Sequence, residues 1–209
     1  MKNFILLIVL LQLNTSTYSQ NSVSGEYYLR GAGPEIASGF MLKPDSTFQF
    51  FFSYGALDRE GEGKYSLDNN HVIFNSRPKP STEFELIKNK IVSSDSTFIK
   101  IIDNNAVLVR YIVALLKFAD TTIEENANEV GEIIVAKKGV ESISLKLEFC
   151  PEKNSVFKVA QGENYFQFKM KPTIMEVFFE NFQLALDKKS LRGRHPLLDE
   201  KEYTYEKEK

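Results

Sequence analysis

The sequence predicts an all-β protein, with an N-terminal antiparallel meander or partial barrel followed by a small β-sandwich. Three observations carry that expectation. Apolar residues recur at every second position through most of the chain, which is the period of a strand with one buried face. Turn chemistry such as Pro44-Asp45-Ser46 and Asp68-Asn69-Asn70 punctuates the alternating runs. Hydrophobic residues are 43% of the 209 and charged residues 26%, so a core can be buried and wholesale disorder is excluded.

Residues 1–19 read as a secretion signal. Lys2 gives a positive start, the run from Phe4 to Leu11 is apolar on every side, and Thr17 and Ser19 place small residues before a cleavage point at Gln20. The run is shorter than the ~20 apolar residues a spanning helix requires, and no later segment qualifies as a membrane span. The single cysteine, Cys150, excludes both an intrachain disulfide and a lipid anchor after the signal. The chain is therefore expected to be secreted or periplasmic. Its net charge is −2, and −3 once Lys2 leaves with the signal, which argues against nucleic-acid binding, since that needs a basic face. With two histidines and one cysteine there is little material for a zinc site, and neither a metal nor a cofactor is expected.

In the meander, Tyr27-Tyr28-Leu29 opens the first strand, and Ile36, Phe40 and Leu42 share a face of the second. Phe48, Phe50, Phe52 and Tyr54 then alternate with polar residues across the turn at Pro44, completing a hairpin. A loop with Gly55, Gly61 and Gly63 is expected next, followed by a hairpin in which Tyr65 and Leu67 face Val72 and Phe74. Arg77-Pro78-Lys79-Pro80-Ser81 is the candidate linker, because two prolines in four residues break a strand pattern. The boundary is set at residue 92, so that 20–92 form the meander, 93–198 the sandwich and 199–209 a charged edge strand or tail. In the second unit, 98–102 is a strand before Asp103-Asn104-Asn105. The stretch 106–118 fits both periods, and its β-branched content assigns it to strand, with Val107, Val109, Tyr111, Val113 and Leu115 on one face. Ile143, Leu145, Leu147 and Phe149 mark the clearest half-buried strand. Phe166, Phe168 and Met170, then Phe182, Leu184 and Leu186, repeat its pattern.

The glycine-aromatic start at Gly25-Glu26-Tyr27-Tyr28-Leu29, the stretch from Leu42 to Phe48 and the later Gly63-Lys64-Tyr65 resemble secreted lipocalin-like β domains over residues 25–74. That resemblance implies an antiparallel barrel or half-barrel holding a small apolar ligand, although a closed barrel needs eight strands and the proline linker arrives after about five. Residues 98–170 resemble transthyretin-like and carboxypeptidase-regulatory-like β-sandwiches, through Ile101-Ile102-Asp103-Asn104-Asn105, 121–126 with 131–135, Ser142-Ile143-Ser144-Leu145 and 164–168. That likeness implies a rigid, non-enzymatic module.

Within Tyr54-Gly55-Ala56-Leu57-Asp58-Arg59-Glu60-Gly61, the side chains of Tyr54, Asp58 and Arg59 either line the mouth of a ligand cavity or simply pin a long loop. Glu35, beside Pro34, pairs with Arg30 or Arg59 in the bland reading, or serves as an acid in a residual hydrolase reading. Gly61-Glu62-Gly63-Lys64 lacks the spacing of a phosphate loop. Arg192, Arg194 and His195 form the only compact basic cluster, either an anion site or a solvated turn. Cys150 reads as a small core hydrophobe. The many phenylalanines, 17 with no tryptophan, read as core filling. Phe51 is the exception, because it falls on the opposite face from Phe50 and Phe52 and calls for a cover from the second unit, a partner or a ligand. The function expected is a non-enzymatic binding or interaction module, its partner an unknown protein or a small apolar ligand. The alternatives are a lipocalin-like carrier and, as a residue, a hydrolase of glycans or peptides.

Overall fold

A computed structural model describes residues 23–209, so the export signal expected at 1–19 lies outside the described residues. The strands are β1 (Gly25–Arg30), β2 (Ile36–Leu42), β3 (Thr47–Tyr54), β4 (Leu57–Asp68), β5 (His71–Asn75), β6 (Phe84–Lys90), β7 (Thr97–Ile102), β8 (Ile112–Phe118), β9 (Thr122–Asn126), β10 (Glu132–Val135), β11 (Val140–Leu147), β12 (Ser155–Lys158), β13 (Tyr165–Met170), β14 (Phe182–Asp187), β15 (Ser190–Arg194) and β16 (Glu202–Lys207). Short 3-10 turns occupy Val109–Tyr111 and Pro172–Met175. The fold class is all-β, as the alternation predicts.

Eight strands close into an antiparallel barrel in the order β1-β2-β3-β4-β5-β14-β15-β16, with β16 returning to β1. The other eight form two four-stranded sheets, β10-β7-β13-β6 and β12-β11-β8-β9. These sheets enclose one core, to which Phe84, Ile99, Phe166 and Phe168 contribute from one and Ile112, Leu116, Ile143 and Leu145 from the other. The sandwich is thus inserted into the barrel between its fifth and sixth staves.

The hairpins follow their turn chemistry. Between β2 and β3, Asp45 Oδ1 accepts from the Thr47 amide at 3.0 Å and its hydroxyl at 2.6 Å, while Ser46 takes φ 66°. Between β4 and β5, Asn69 takes φ 51°, the left-handed conformation that Asn tolerates in two-residue hairpins. The expected glycine-rich loop is not a loop. Tyr54 pairs with Leu57 across two residues only, and Gly61 and Gly63 lie inside the twelve-residue strand β4. These glycines serve an approach rather than a bend. A Cβ on Gly61 would stand 2.6 Å from the Val177 carbonyl oxygen and 2.8 Å from the Phe179 ring.

That approach closes the barrel wall. β5 pairs only with the second half of β4, from Lys64 to Asp68, which leaves the first half without its neighbour on that side. The two linkers take its place. The Val177 amide donates to the Glu60 carbonyl at 2.7 Å, and the Ser76 hydroxyl donates to the Glu62 carbonyl at 2.6 Å. Backbone acceptors that a short β5 would leave open are satisfied by the segments leading to and from the sandwich.

Several expectations need correction. The division at residue 92 does not follow the sheets, because β6 pairs with β13 in the sandwich, whereas β14 and β15, inside the expected sandwich range, are barrel staves. Residues 199–209 are neither edge nor tail, since β16 lies between β15 and β1. Period-two alternation reports a buried face and not which sheet supplies the neighbour. The stretch 106–118 is a strand only from Ile112, and its inward face is Ile112, Ala114, Leu116 and Phe118. Both faces there are apolar, so the phase was ambiguous, and Leu115 instead stands exposed opposite Glu124. The segment after Ile102 crosses from one sheet to the other, since β7 pairs with β10 and β13 while β8 pairs with β9 and β11.

A chain ending at residue 198 loses β16 and leaves β1 and β15 as open edges. It is expected to lose the barrel's cooperative denaturant transition and to self-associate. A truncated chain that unfolds at the same midpoint as the whole protein would contradict barrel closure.

Candidate functional site

The barrel lumen is filled by the protein itself. Phe40, Phe48, Phe50, Phe74, Leu184, Leu191 and Tyr205 point inward from six staves, and Val177 and Phe179 enter from the return linker. Phe179 lies with ring centroids 5.2 Å from Phe48, 5.3 Å from Phe50 and 5.4 Å from Phe182, while Phe40 stands 4.7 Å from Phe74 and 5.1 Å from Tyr205. These are contact distances for tilted and edge-on aromatic pairs. Phe178, one residue earlier, faces the other way, between the Arg77 and Lys153 cations at 5.0 Å each.

His195 also belongs to the lumen. The Leu197 amide donates to its Nδ1 at 3.0 Å, which places the ring proton on Nε2, 3.1 Å from Ser38 Oγ, and Ser38 donates in turn to the Phe51 carbonyl at 2.8 Å. Burial pulls the imidazole pKa down to about 4, so the ring is neutral at physiological pH. The expected cluster of Arg192, Arg194 and His195 is therefore not brought together, since the imidazole turns away into the core. The two arginines stand exposed on β15 and Arg194 reaches only Glu200, at 4.0 Å. The β-period at the end of β15 sends the neighbouring imidazole into the core.

The five residues expected to line one ligand site do not form one: Glu35, Tyr54 and Asp58 lie at one end of the β2–β4 wall, Phe51 further along it, and Arg59 on the other face. Glu35 stands exposed on the turn before β2, and Arg30 pairs with Glu206 instead, at 3.0 Å. Tyr54 is half exposed at the β3–β4 tip, and Asp58 accepts from the Ser53 hydroxyl on the outer wall. Arg59, adjacent in sequence, lies on the opposite face of β4 with only 4% of its surface exposed. Its guanidinium donates to Glu152 at 2.6 Å, and its Nε stands 3.5 Å from the Met175 carbonyl. Beside it Lys153 and Glu83, both buried, approach to 3.3 Å, with Lys153 also donating to the Thr173 carbonyl at 2.5 Å. Desolvation lowers the Lys153 pKa, and the adjacent Glu83 opposes that shift. Arg59 is thus a clamp between barrel and sandwich. Cys150 sits fully buried in the sandwich core with its thiol pKa raised by burial, and the lumen's His195 belongs to the other core. Among the described residues, no group of three or more His, Cys, Asp or Glu is placed to hold a metal ion.

Phe51 alone of the expected set marks a recess. It stands 38% exposed on the outer wall, and its ring lies over Gly39, where any Cβ would come within 2.8 Å of it. Tyr28 meets it edge-on at 6.1 Å. The register sets two rows side by side across four staves. One runs Tyr28, Gly39, Phe51, Glu60, and the other Glu26, Met41, Gln49, Glu62. With Glu176 from the return linker they bound an open groove of about 560 Å³. Its floor is Tyr28, Phe51 and Met41, one rim is Glu26, and the other is Glu60, Glu62 and Glu176. Glu26 accepts from the Tyr28 hydroxyl at 2.5 Å, and Glu176 is neutralised by Arg77 at 2.5 Å. The sequence carried a partial signal for this site, since Glu60 and Glu62 keep strand phase with each other and oppose Gly61 and Gly63. The expectation of a loop across 55–63 concealed it.

Comparison with known proteins gives no match: no family model, no curated sequence and no solved structure is similar to this chain.

The His195 environment makes a pH prediction. In the unfolded chain the ring titrates near 6.5 and in the folded chain at about 4. Between those values the unfolded state binds more protons, so stability is complete above pH 6.5 and is lost as pH falls toward 4. Its share of the loss between pH 7 and 4.5 is about 2 kcal/mol. Denaturant midpoints of wild type and His195→Gln should converge as the pH is lowered across that window. Parallel profiles would show that the ring is not buried neutral.

Proposed function

We propose that this is an exported, non-enzymatic binding module that engages its partner through the groove on the outer barrel wall and not through the lumen. The observation that carries the reading is Phe51, a large aromatic side chain held open at the centre of a recess by Gly39 and Tyr28. Solvent-facing aromatics with polar groups around them are how proteins present contact surfaces. The sandwich does not cover this face, although its return linker supplies Glu176 to the rim.

The non-enzymatic part is supported by Arg59, which faces away from Asp58 and is tied to Glu152, so that Glu35, Asp58 and Arg59 do not converge as the residual hydrolytic reading requires. Residues 25–74, which carry the lipocalin-like resemblance, supply five of the eight barrel staves, and residues 98–170, which carry the sandwich resemblance, supply most of the two facing sheets. A carrier function draws no such support, because Phe179 occupies the volume an apolar guest would need.

Phenol and isopropanol, used as class-neutral probes in an NMR titration of residues 20–209, test this reading. Both are expected to shift Tyr28, Met41 and Phe51 resonances while Phe40, Phe74 and Leu184 stay unmoved, and Phe51→Ser should abolish the response. Shifts confined to the lumen residues would overturn the outer-wall reading in favour of a carrier.

A further inference from the structure

We infer that the groove takes an extended segment of a partner protein, laid across the staves, with two basic side chains four residues apart and an apolar one between them. This rests on the outer-wall reading above and names the occupant.

The argument is one of matching pattern. The floor is apolar and aromatic, and the carboxylates stand on both rims rather than at one point. Glu26 on β1 and the pair Glu60 and Glu62 on β4 are separated by three interstrand spacings, which is ~14 Å. A single amine reaches one rim only. An extended chain places side chains of one face every ~6.7 Å, so its positions i and i+4 stand ~13 Å apart and reach both rims at once. Position i+2 then falls on Phe51 and Met41, where only an apolar group recovers the contact area.

The electrostatics select the sign. Arg77 satisfies Glu176, while Glu60 and Glu62 have no cationic partner among the ion pairs of the described residues. Tyr28 and Phe51 offer faces to a guanidinium or ammonium group, an attraction that adds to the carboxylates. The neighbouring recess shares Glu62 with the groove and carries Lys43, Lys64 and Arg77, the last already paired with Glu176. Its two lysines disfavour a basic segment extending past Glu62 along the barrel.

The test uses a blocked heptapeptide with arginine at its second and sixth positions, leucine at the fourth and serine elsewhere. Binding to residues 20–209 is followed by NMR and calorimetry at low and physiological salt. Saturable binding is expected, with shifts at Tyr28, Met41 and Phe51. The double variant Glu60→Gln, Glu62→Gln should weaken it at least tenfold at low salt and flatten its salt dependence. Phe51→Ala should weaken it several-fold at both salts, and Lys64→Gln should not weaken it. Replacing the peptide's leucine by serine should cost affinity about as much as Phe51→Ala.

Equal affinity for arginine amide alone would overturn the two-rim segment, as would binding indifferent to Phe51→Ala. If phenol still reports on Phe51 but the peptide does not bind, the basic occupant is wrong and the outer-wall site survives. If neither probe moves these residues, both readings fall.

Discussion

Phe179 enters the barrel from the return linker, and the arrangement of the rest depends on where its ring comes to lie. It packs against Phe40, Phe48, Phe50, Phe74 and Phe182, five aromatics from four staves, so that one side chain completes a core that the strands alone leave hollow. Its path demands a bare backbone on β4, which Gly61 supplies, and gives β4 the hydrogen-bond partner that a five-residue β5 cannot. The insertion of a sandwich into a barrel is usually pictured as a loop grown large. Here the linker of that insertion is itself a structural part of the barrel.

The same junction fixes the sandwich. Arg59 leaves the barrel lumen to meet Glu152, and Lys153 is buried against Glu83 beside Phe178. Buried ion pairs contribute little net stability, because desolvation offsets the attraction, but removing one partner strands the other and is costly. The Lys153–Glu83 pair therefore holds orientation more than it adds stability, while Arg59 reaches out to a half-exposed Glu152. The consequence for function is positional: Glu176, midway along the return linker, is carried to the groove rim and tied there by Arg77.

Much of the fold was legible in the sequence because its signals are local. The Asp45 and Asn69 turns, the inward faces of β3 and β11 and the proline break at 77–81 all follow from residue chemistry within a few positions. What was not legible is non-local. Alternation in 182–186 and the charged run after 199 cannot say that their neighbours lie more than a hundred residues earlier, at Phe74 and Tyr27. The glycines at 61 and 63 were misleading for the same reason, since the atoms that require them come from Val177 and Phe179 for Gly61 and from the Asn75 backbone and Phe48 for Gly63. Of the site, Phe51 was legible because its phase contradicts its hydrophobicity. Tyr28, Met41 and the glutamates were not, because only the register across four staves brings them together.

The most direct measurement is denaturant unfolding of Phe179→Ala beside wild type. A ring that fills the lumen should cost about 3–5 kcal/mol when truncated, the range for large-to-small core changes at aromatic positions, with an unchanged slope. A loss below about 1 kcal/mol, within the range of ordinary surface substitutions, would contradict the account. The lumen would then not depend on the linker, and the case for placing function on the outer wall would lose its foundation.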